Sequence, residues 1–328
     1  MRIFMSNIDD NNKHAEDIEK TSDRVVFDSS DLDEAYAELE STDNKDGSAG
    51  SSHSARNIVR CIILGAALVV FIVSAASLIR IFSEYQRGEN IYESIQAAVF
   101  LTDSTTMAPE GVTQETTMYE SYSYAEVETA AQLSNIDMAS VRAMNSEAIG
   151  WIQIPSIARS YPVAHRGDNS YYLTHTFTGE ENSSGCIFMD ARNYSDFSDR
   201  NTIIYGHNMK NGTMFGMLNR YEDSDFYSSS GNTFYITTDN GTRAYTIFAV
   251  CFVPSDSIVY NVEFTGETSF EDFLDYVKVN QLYDTGVSVL PTDYVVTLST
   301  CTSDSGTRRV VLGKYVGTIM KSASGAQE

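Results

Sequence analysis

The stretch YVVTLSTCTSDSGTRRVVLGK, residues 294–314, decides how this chain is read. Residues 294–299 and 310–312 are rich in β-branched side chains, whereas 302–307 collects Thr, Ser, Asp and Gly, the residues that turn a chain. The pattern predicts two strands joined by a short loop. Cys301 then closes one strand and Arg308 opens its neighbour, which sets them opposite each other at about 5 Å between Cβ atoms. A free thiol titrates near about 8.5 and only its thiolate is a good nucleophile, so a neighbouring cation raises its reactivity. Arginine also offers several N–H donors to an oxyanion. Side chains alternate along a strand, so Arg308 and Arg309 point to opposite faces and only one shares the face of Cys301. The symmetric loop favours Arg308; a one-residue bulge would hand the role to Arg309. Taken alone, Cys301 reads equally well as a small buried hydrophobe, and a general base is still required.

Composition narrows the classes. The 328 residues carry 45 acidic against 22 basic side chains, a balance that argues against a nucleic-acid binder, which presents a basic face. Four cysteines are too few for a disulfide framework, and none sits in a CxxC pair or near a His at ligand spacing, so no structural metal site is expected. Residues 1–54 hold 14 acidic and 5 basic side chains, a net charge of −9, and end in a Ser/Gly-rich run. They read as an acidic, disordered tail with a transient helix around 31–40.

Residues 61–79, CIILGAALVVFIVSAASLI, form a run of 19 without a charge, bounded by Arg60 and Arg80. At a rise of 1.5 Å per residue, about 20 apolar residues cross a bilayer core of about 30 Å. A single transmembrane helix within 55–82 is therefore predicted; a cleaved signal peptide would not follow so long a leading segment. Arg56 and Arg60 before the span are matched by Arg80 and Arg87 after it, so charge bias alone does not orient it. A cytoplasmic N-terminus is expected because the downstream domain has an extracellular character. Residues 83–134 are rich in Thr, Ser, Glu and Tyr without sustained period and read as an extracellular stalk, although 84–99 can continue as a helix.

From residue 135 to 328 the composition is that of a folded domain. Apolar positions 136, 138, 141 and 144 have helical spacing, and 150–165 reads as strand, turn and strand. Further strands are expected at 185–190, 201–205, 232–237, 243–253 and 286–290, and one clear helix at 269–280, with Ser269 as N-cap and Phe270, Phe273, Leu274 and Val277 on one face. About eight strands with few helices suggest a mainly β fold, a closed barrel with helical insertions. His207 follows a strand and a Gly in NTIIYGHNMKNG, whereas His165 and His175 sit in turns and His14 and His53 in the tail. A lone His is more often structural than catalytic, so His207 is a candidate base only if it meets Cys301 in space.

Three separate motifs in order, GWIQIP (150–155), YGHNM (205–209) with MFG (214–216), and TLSTC (297–301) with RRVVLGK (308–314), resemble a class B sortase. The likeness runs from about 136 to 320 and includes DNSYYL (168–173), FLDYV (273–277) and LYDTGV (282–287). The tail, span and stalk are similar to the N-anchored arrangement of that family. The resemblance implies an eight-stranded sortase barrel with the 269–280 helix as the class B insertion. It further implies Cys301 as nucleophile, His207 as the acid–base residue and Arg308 in the arginine position. Ser299, Asn169 and Leu173 match family positions that line the sorting-signal groove. The implied reaction is cleavage of a C-terminal sorting signal of surface proteins, LPxTG-like or NPxTx-like, after its Thr, through a thioester. An amine of peptidoglycan or a pilin lysine then takes the acyl group. No metal or organic cofactor is required. Cys61 lies in the membrane span, Cys186 and Cys251 in predicted strands read as packing residues, no disulfide is expected, and Asp304 reads as a turn cap, with orientation of His207 as its alternative. Two other classes compete: a cysteine endopeptidase or other cell-wall cysteine enzyme using the same three groups, and a non-catalytic barrel for which Cys301 is dispensable.

Overall fold

Alternation of β-branched residues with small polar ones builds the sheet that carries this domain. In the computed structural model, described over residues 52–100, 136–264, 269–302 and 306–319, eight strands close into a barrel. They are β1 (Ala148–Ile154), β2 (Arg159–His165), β3 (Ile187–Met189), β4 (Asn201–Tyr205), β5 (Thr233–Thr238), β6 (Gly241–Pro254), β7 (Val295–Cys301) and β8 (Thr307–Ile319). The order around the barrel is β1-β2-β3-β4-β7-β8-β6-β5. Closure leaves no unpaired edge among these strands. Two pairings are parallel, β2 with β3 and β4 with β7, and the others are antiparallel. The expected mainly β barrel is thus the observed architecture.

Both faces of the β7–β8 pair are covered. Val296, Leu298 and Val311 belong to the large core that also holds Trp151 and Ile152, while Val295, Val310 and Leu312 join a second layer with Val253, Val259, Phe273 and Val277. A strand buried on both sides gains from apolar residues at consecutive positions, which explains the Val295-Val296 and Val310-Val311-Leu312 runs. The second layer is roofed by the 3₁₀ turn Ile258–Tyr260 and by the helix Phe270–Asn280. Ser269 caps that helix as expected. Its hydroxyl accepts from the Asp272 N–H at 3.0 Å while the Asp272 carboxylate accepts from the Ser269 N–H at 2.9 Å, a capping box.

Three expectations need adjustment. Residues 286–290 are not a strand; they belong to an irregular stretch between the helix and β7. Val287 and Val289 turn toward the second layer, but the neighbouring Gly286 takes φ +74° and no ladder forms. The helix expected from 136 begins at Met138, after Asp137 accepts from the Ala139 N–H as its N-cap. Residues 84–99, which composition grouped with a stalk, continue the long helix α1 (Ser52–Val99) and belong to the same compact unit as the barrel. Tyr92, Ile95 and Val99, spaced three and four apart, bury in the large core. Gln96 Nε2 donates to the Ser160 carbonyl at 2.8 Å, and Asn182 Nδ2 donates to the Glu84 carbonyl at 3.2 Å. The preceding part of α1 contains the 19 uncharged residues and is long and apolar enough to cross a membrane. The acidic tail, most of the stalk and Asp304 lie outside the described residues.

Candidate active site

Two registers flank β7, the strand that ends at Cys301. On one side of β7, parallel β4 sets Tyr205 opposite Ser299, and the Gly206 N–H donates to the Ser299 carbonyl at 3.1 Å. Tyr205↔Ser299 is the last pair of that register, and His207 follows two residues beyond the end of β4 as Cys301 follows two residues beyond Ser299. On the other side, antiparallel β8 sets Arg308 opposite Cys301 and Arg309 opposite Thr300. No bulge intervenes, so Arg308, not Arg309, is the register partner of position 301.

Packing supports that assignment. Arg308 is buried, and its Nη1 donates to the Thr307 carbonyl at 3.2 Å. Arg309 is committed elsewhere: its guanidinium pairs with Glu222, at the end of the 3₁₀ helix Gly216–Glu222, and lies 5.6 Å from the Phe252 ring.

His207 is fixed from several directions. A Cβ at Gly206 would press against Ile187 and come within 2.7 Å of the Phe215 ring, so the residue before the histidine must be glycine for the chain to pass. The Phe215 N–H donates back to the His207 carbonyl at 3.0 Å, and Asn208 and Met214 form a bridge that closes the loop. The imidazole Nε2–H donates to the Leu173 carbonyl at 2.6 Å. That bond leaves Nδ1 as the basic nitrogen of the neutral ring. Burial lowers the imidazole from its ordinary value, opposed in part by the Leu173 carbonyl, which favours the cation.

Behind the site lies a polar frame. Asp190 is fully buried and accepts four hydrogen bonds: from the Arg192 N–H at 2.9 Å, Arg192 Nε at 2.9 Å, Arg192 Nη2 at 2.8 Å and the Tyr205 hydroxyl at 2.8 Å. Burial alone would raise its carboxyl, but the Arg192 bonds and charge outweigh it and hold the group below the usual carboxylate range. Arg192 Nη2 also donates to the Tyr260 carbonyl at 3.0 Å, and the Tyr260 hydroxyl shares a 2.8 Å hydrogen bond with the Ser299 hydroxyl. The frame thus joins the loop after β3, the end of β4, the 3₁₀ turn at Ile258–Tyr260 and β7.

Residues 152–316 match the Sortase domain family. The chain is 38% identical over 185 residues to Sortase B of Listeria monocytogenes, covering 55% of this chain and 74% of that protein, and 31% identical over 182 residues to Sortase B of Staphylococcus aureus. This chain belongs to the sortase family, class B. Among solved structures, sortase B from B. anthracis in complex with AAEK1 superposes with a TM-score of 0.57 at 29% identity, covering 72% of this chain and all of that one. Sortase B of Clostridium perfringens gives a TM-score of 0.51 at 26% identity over 55% of this chain. A sortase is a cysteine transpeptidase, and class B members act on surface proteins and cell-wall amines.

In this sortase the residues expected from sequence fall in distinct places. Cys301 ends β7, Arg308 pairs with it near the start of β8, and His207 follows the end of β4 by two residues. Leu173 meets His207 through its carbonyl. Asn169 accepts from the Ala191 N–H at 2.8 Å, tying the DNSYYL segment to the loop that carries Asp190 and Arg192. Ser299 is buried beneath Tyr260. Cys186 and Cys251 are buried in the barrel wall, and burial pushes each thiol up to about 12, as packing residues require. Sequence reasoning did not single out Tyr260, Tyr205 or the Asp190–Arg192 pair. The only available signal was an Asp two residues before an Arg at a strand end, a pattern too common to select.

Proposed function

We propose that Cys301, His207 and Arg308 carry out the transpeptidation. The observation that supports this reading is the register on the two sides of β7: Cys301 pairs with Arg308 of β8, and Ser299, two residues before it, pairs with Tyr205 of β4, two residues before His207. In the proposed reaction the Cys301 thiolate attacks the carbonyl carbon of a Thr in a C-terminal sorting signal. Arg308 and backbone N–H groups hold the oxyanion, and the His207 imidazolium delivers a proton to the departing amine as the C–N bond breaks. A thioester and a free amine result. An incoming amine, from a peptidoglycan cross-bridge or a pilin lysine, loses its proton to neutral His207 and displaces the thiolate. The Leu173 carbonyl supports both halves by holding Nε2–H, which reserves Nδ1 for proton transfer. Asn169 and Ser299 shape the signal groove through Ala191 and Tyr260, the groups they hold, and Leu173 contributes its side chain to the same groove. With the N-terminus cytoplasmic, the apolar helix places the barrel outside the cell.

The test uses the full chain in detergent micelles with LPxTG-like and NPxTx-like peptides, with and without an amine acceptor, and reads products by mass. Thr-linked amine adducts are expected from wild type and Arg309→Ala, and none from Cys301→Ala, His207→Ala or Arg308→Ala. Activity that survives without Cys301 overturns the assignment, and hydrolysis without any amine adduct identifies an endopeptidase instead.

A further inference from the structure

Tyr92 belongs to the helix that follows the apolar span and to none of the strands of the site, yet it touches both walls of the histidine pocket. Its hydroxyl donates to the Gly185 carbonyl at 2.6 Å and accepts from the Phe177 N–H at 3.3 Å. Gly185, at φ +57°, backs the imidazole directly. A Cβ there would lie 3.0 Å from His207 Cδ2, 3.0 Å from the Leu173 carbonyl oxygen and 2.5 Å from that of Tyr172. The Cys186 N–H donates to the Tyr172 carbonyl at 2.9 Å and the Asn182 N–H to that of Thr174 at 2.9 Å, so residues 172–186 form a closed strap. One end of that strap carries the carbonyl that holds His207 Nε2–H, and the other carries the carbonyl that Tyr92 grips.

The second wall is reached through the ring. Tyr92 stands edge-on to Tyr161 at 5.4 Å between centroids and 89° between planes, and the Tyr161 hydroxyl accepts from the Met214 N–H at 2.9 Å. Met214, at φ +50°, is the residue that bridges Asn208 and closes the loop containing His207. Both the imidazole's carbonyl partner and its backbone loop therefore trace back to one buried side chain.

We propose that Tyr92 is a positioning residue for His207, through which the membrane-proximal helix sets the alignment of the acid–base group. This rests on the reading of His207 as that group. Packing alone would be served equally by Phe, which keeps the ring and its edge contact with Tyr161. Of the Tyr92 side chain only the hydroxyl ties the strap, and it does so at Gly185 and Phe177, whereas the helix's other bonds to the strap end at Asn182, Ser183 and Glu180. The alignment of a proton-transfer group is sensitive to displacements well below the size of a side chain.

The experiment compares wild type, Tyr92→Phe, Gln96→Ala and His207→Ala as full chains in detergent micelles. Gln96→Ala removes another hydrogen bond from the same helix to the barrel, one that ends at Ser160 rather than at the strap. Transpeptidation kinetics and the NMR titration of the His207 imidazole are read for each. Tyr92→Phe is expected to lower kcat about tenfold with KM within about twofold and to move the His207 midpoint, while Gln96→Ala leaves both at wild-type values. An unmoved His207 midpoint in Tyr92→Phe, or an equal shift in Gln96→Ala, overturns the proposal. Wild-type turnover by His207→Ala instead removes the reading on which it rests, whatever Tyr92→Phe does.

Discussion

Replacing Arg192 by Met tests the polar frame behind the site. The change keeps much of the side chain's length but removes two of the four hydrogen bonds to Asp190, the cation beside it and the bond to the Tyr260 carbonyl. The Arg192 N–H and the Tyr205 hydroxyl remain, so Asp190, fully buried, keeps partners but no countercharge. Breaking a buried pair from one side costs about 3–5 kcal/mol. Arg192 is itself half exposed, which places the expected loss near the lower end, about 3 kcal/mol. The sign of the pH dependence follows. In the wild type the Asp190 carboxyl is held below its ordinary range, so its stabilisation is complete above the unfolded value of about 3.9 and is lost as pH falls through the folded one. Without Arg192, burial dominates and raises the folded value above the unfolded one. The mutant's penalty is then full at neutral pH and shrinks on acidification.

Guanidinium unfolding of the full chain in micelles, followed by the fluorescence of Trp151, gives the number directly. That residue is the chain's one tryptophan and is fully buried. Arg192→Met is expected to lose about 3 kcal/mol at pH 7 and less than about half of that near pH 4, and Asp190→Asn in the same background should recover part of the loss. A difference under about 0.5 kcal/mol at pH 7, or one that grows as pH falls, refutes the account.

Other perturbations address separate links. Gly206→Ala forces a Cβ against Ile187 and the Phe215 ring and should destabilise by about 1–3 kcal/mol with a fall in turnover, read from the denaturation midpoint and from product formation. Phe273→Ala empties the fully buried centre of the second apolar layer and should cost about 3–5 kcal/mol, whereas Ser269→Ala at the cap of the same helix should cost about 1 kcal/mol; equal effects would contradict the packing described. Because burial lowers the His207 imidazole, the folded state binds fewer protons there than the unfolded one. Stability attributable to this residue should therefore fall as pH drops through about 6.5. His207→Gln should flatten that slope between pH 7.5 and 5.5, and an unchanged slope would count against the half-buried neutral ring.

Much of this protein is set by local pattern. The uncharged run at 61–79, the capping signal at Ser269 and the β-branched strands around a Ser/Gly/Asp loop each act over a few residues, where spacing and propensity are decisive. That Arg308 rather than Arg309 pairs with position 301 was legible for the same reason, since register follows once the loop is symmetric. What composition obscured was residues 84–99. Their polar surface resembles a linker, and only contact with the barrel core shows Tyr92, Ile95 and Val99 as one buried stripe. The meeting of His207 with the Leu173 carbonyl, and of Asp190 with Tyr205 across the β3–β4 connection, depends on closure of the barrel. Such contacts join residues 34 and 15 apart in the chain, through a backbone carbonyl and a buried carboxylate. A carbonyl is the same at every position in a sequence, so only the tertiary structure decides which one receives a proton donor.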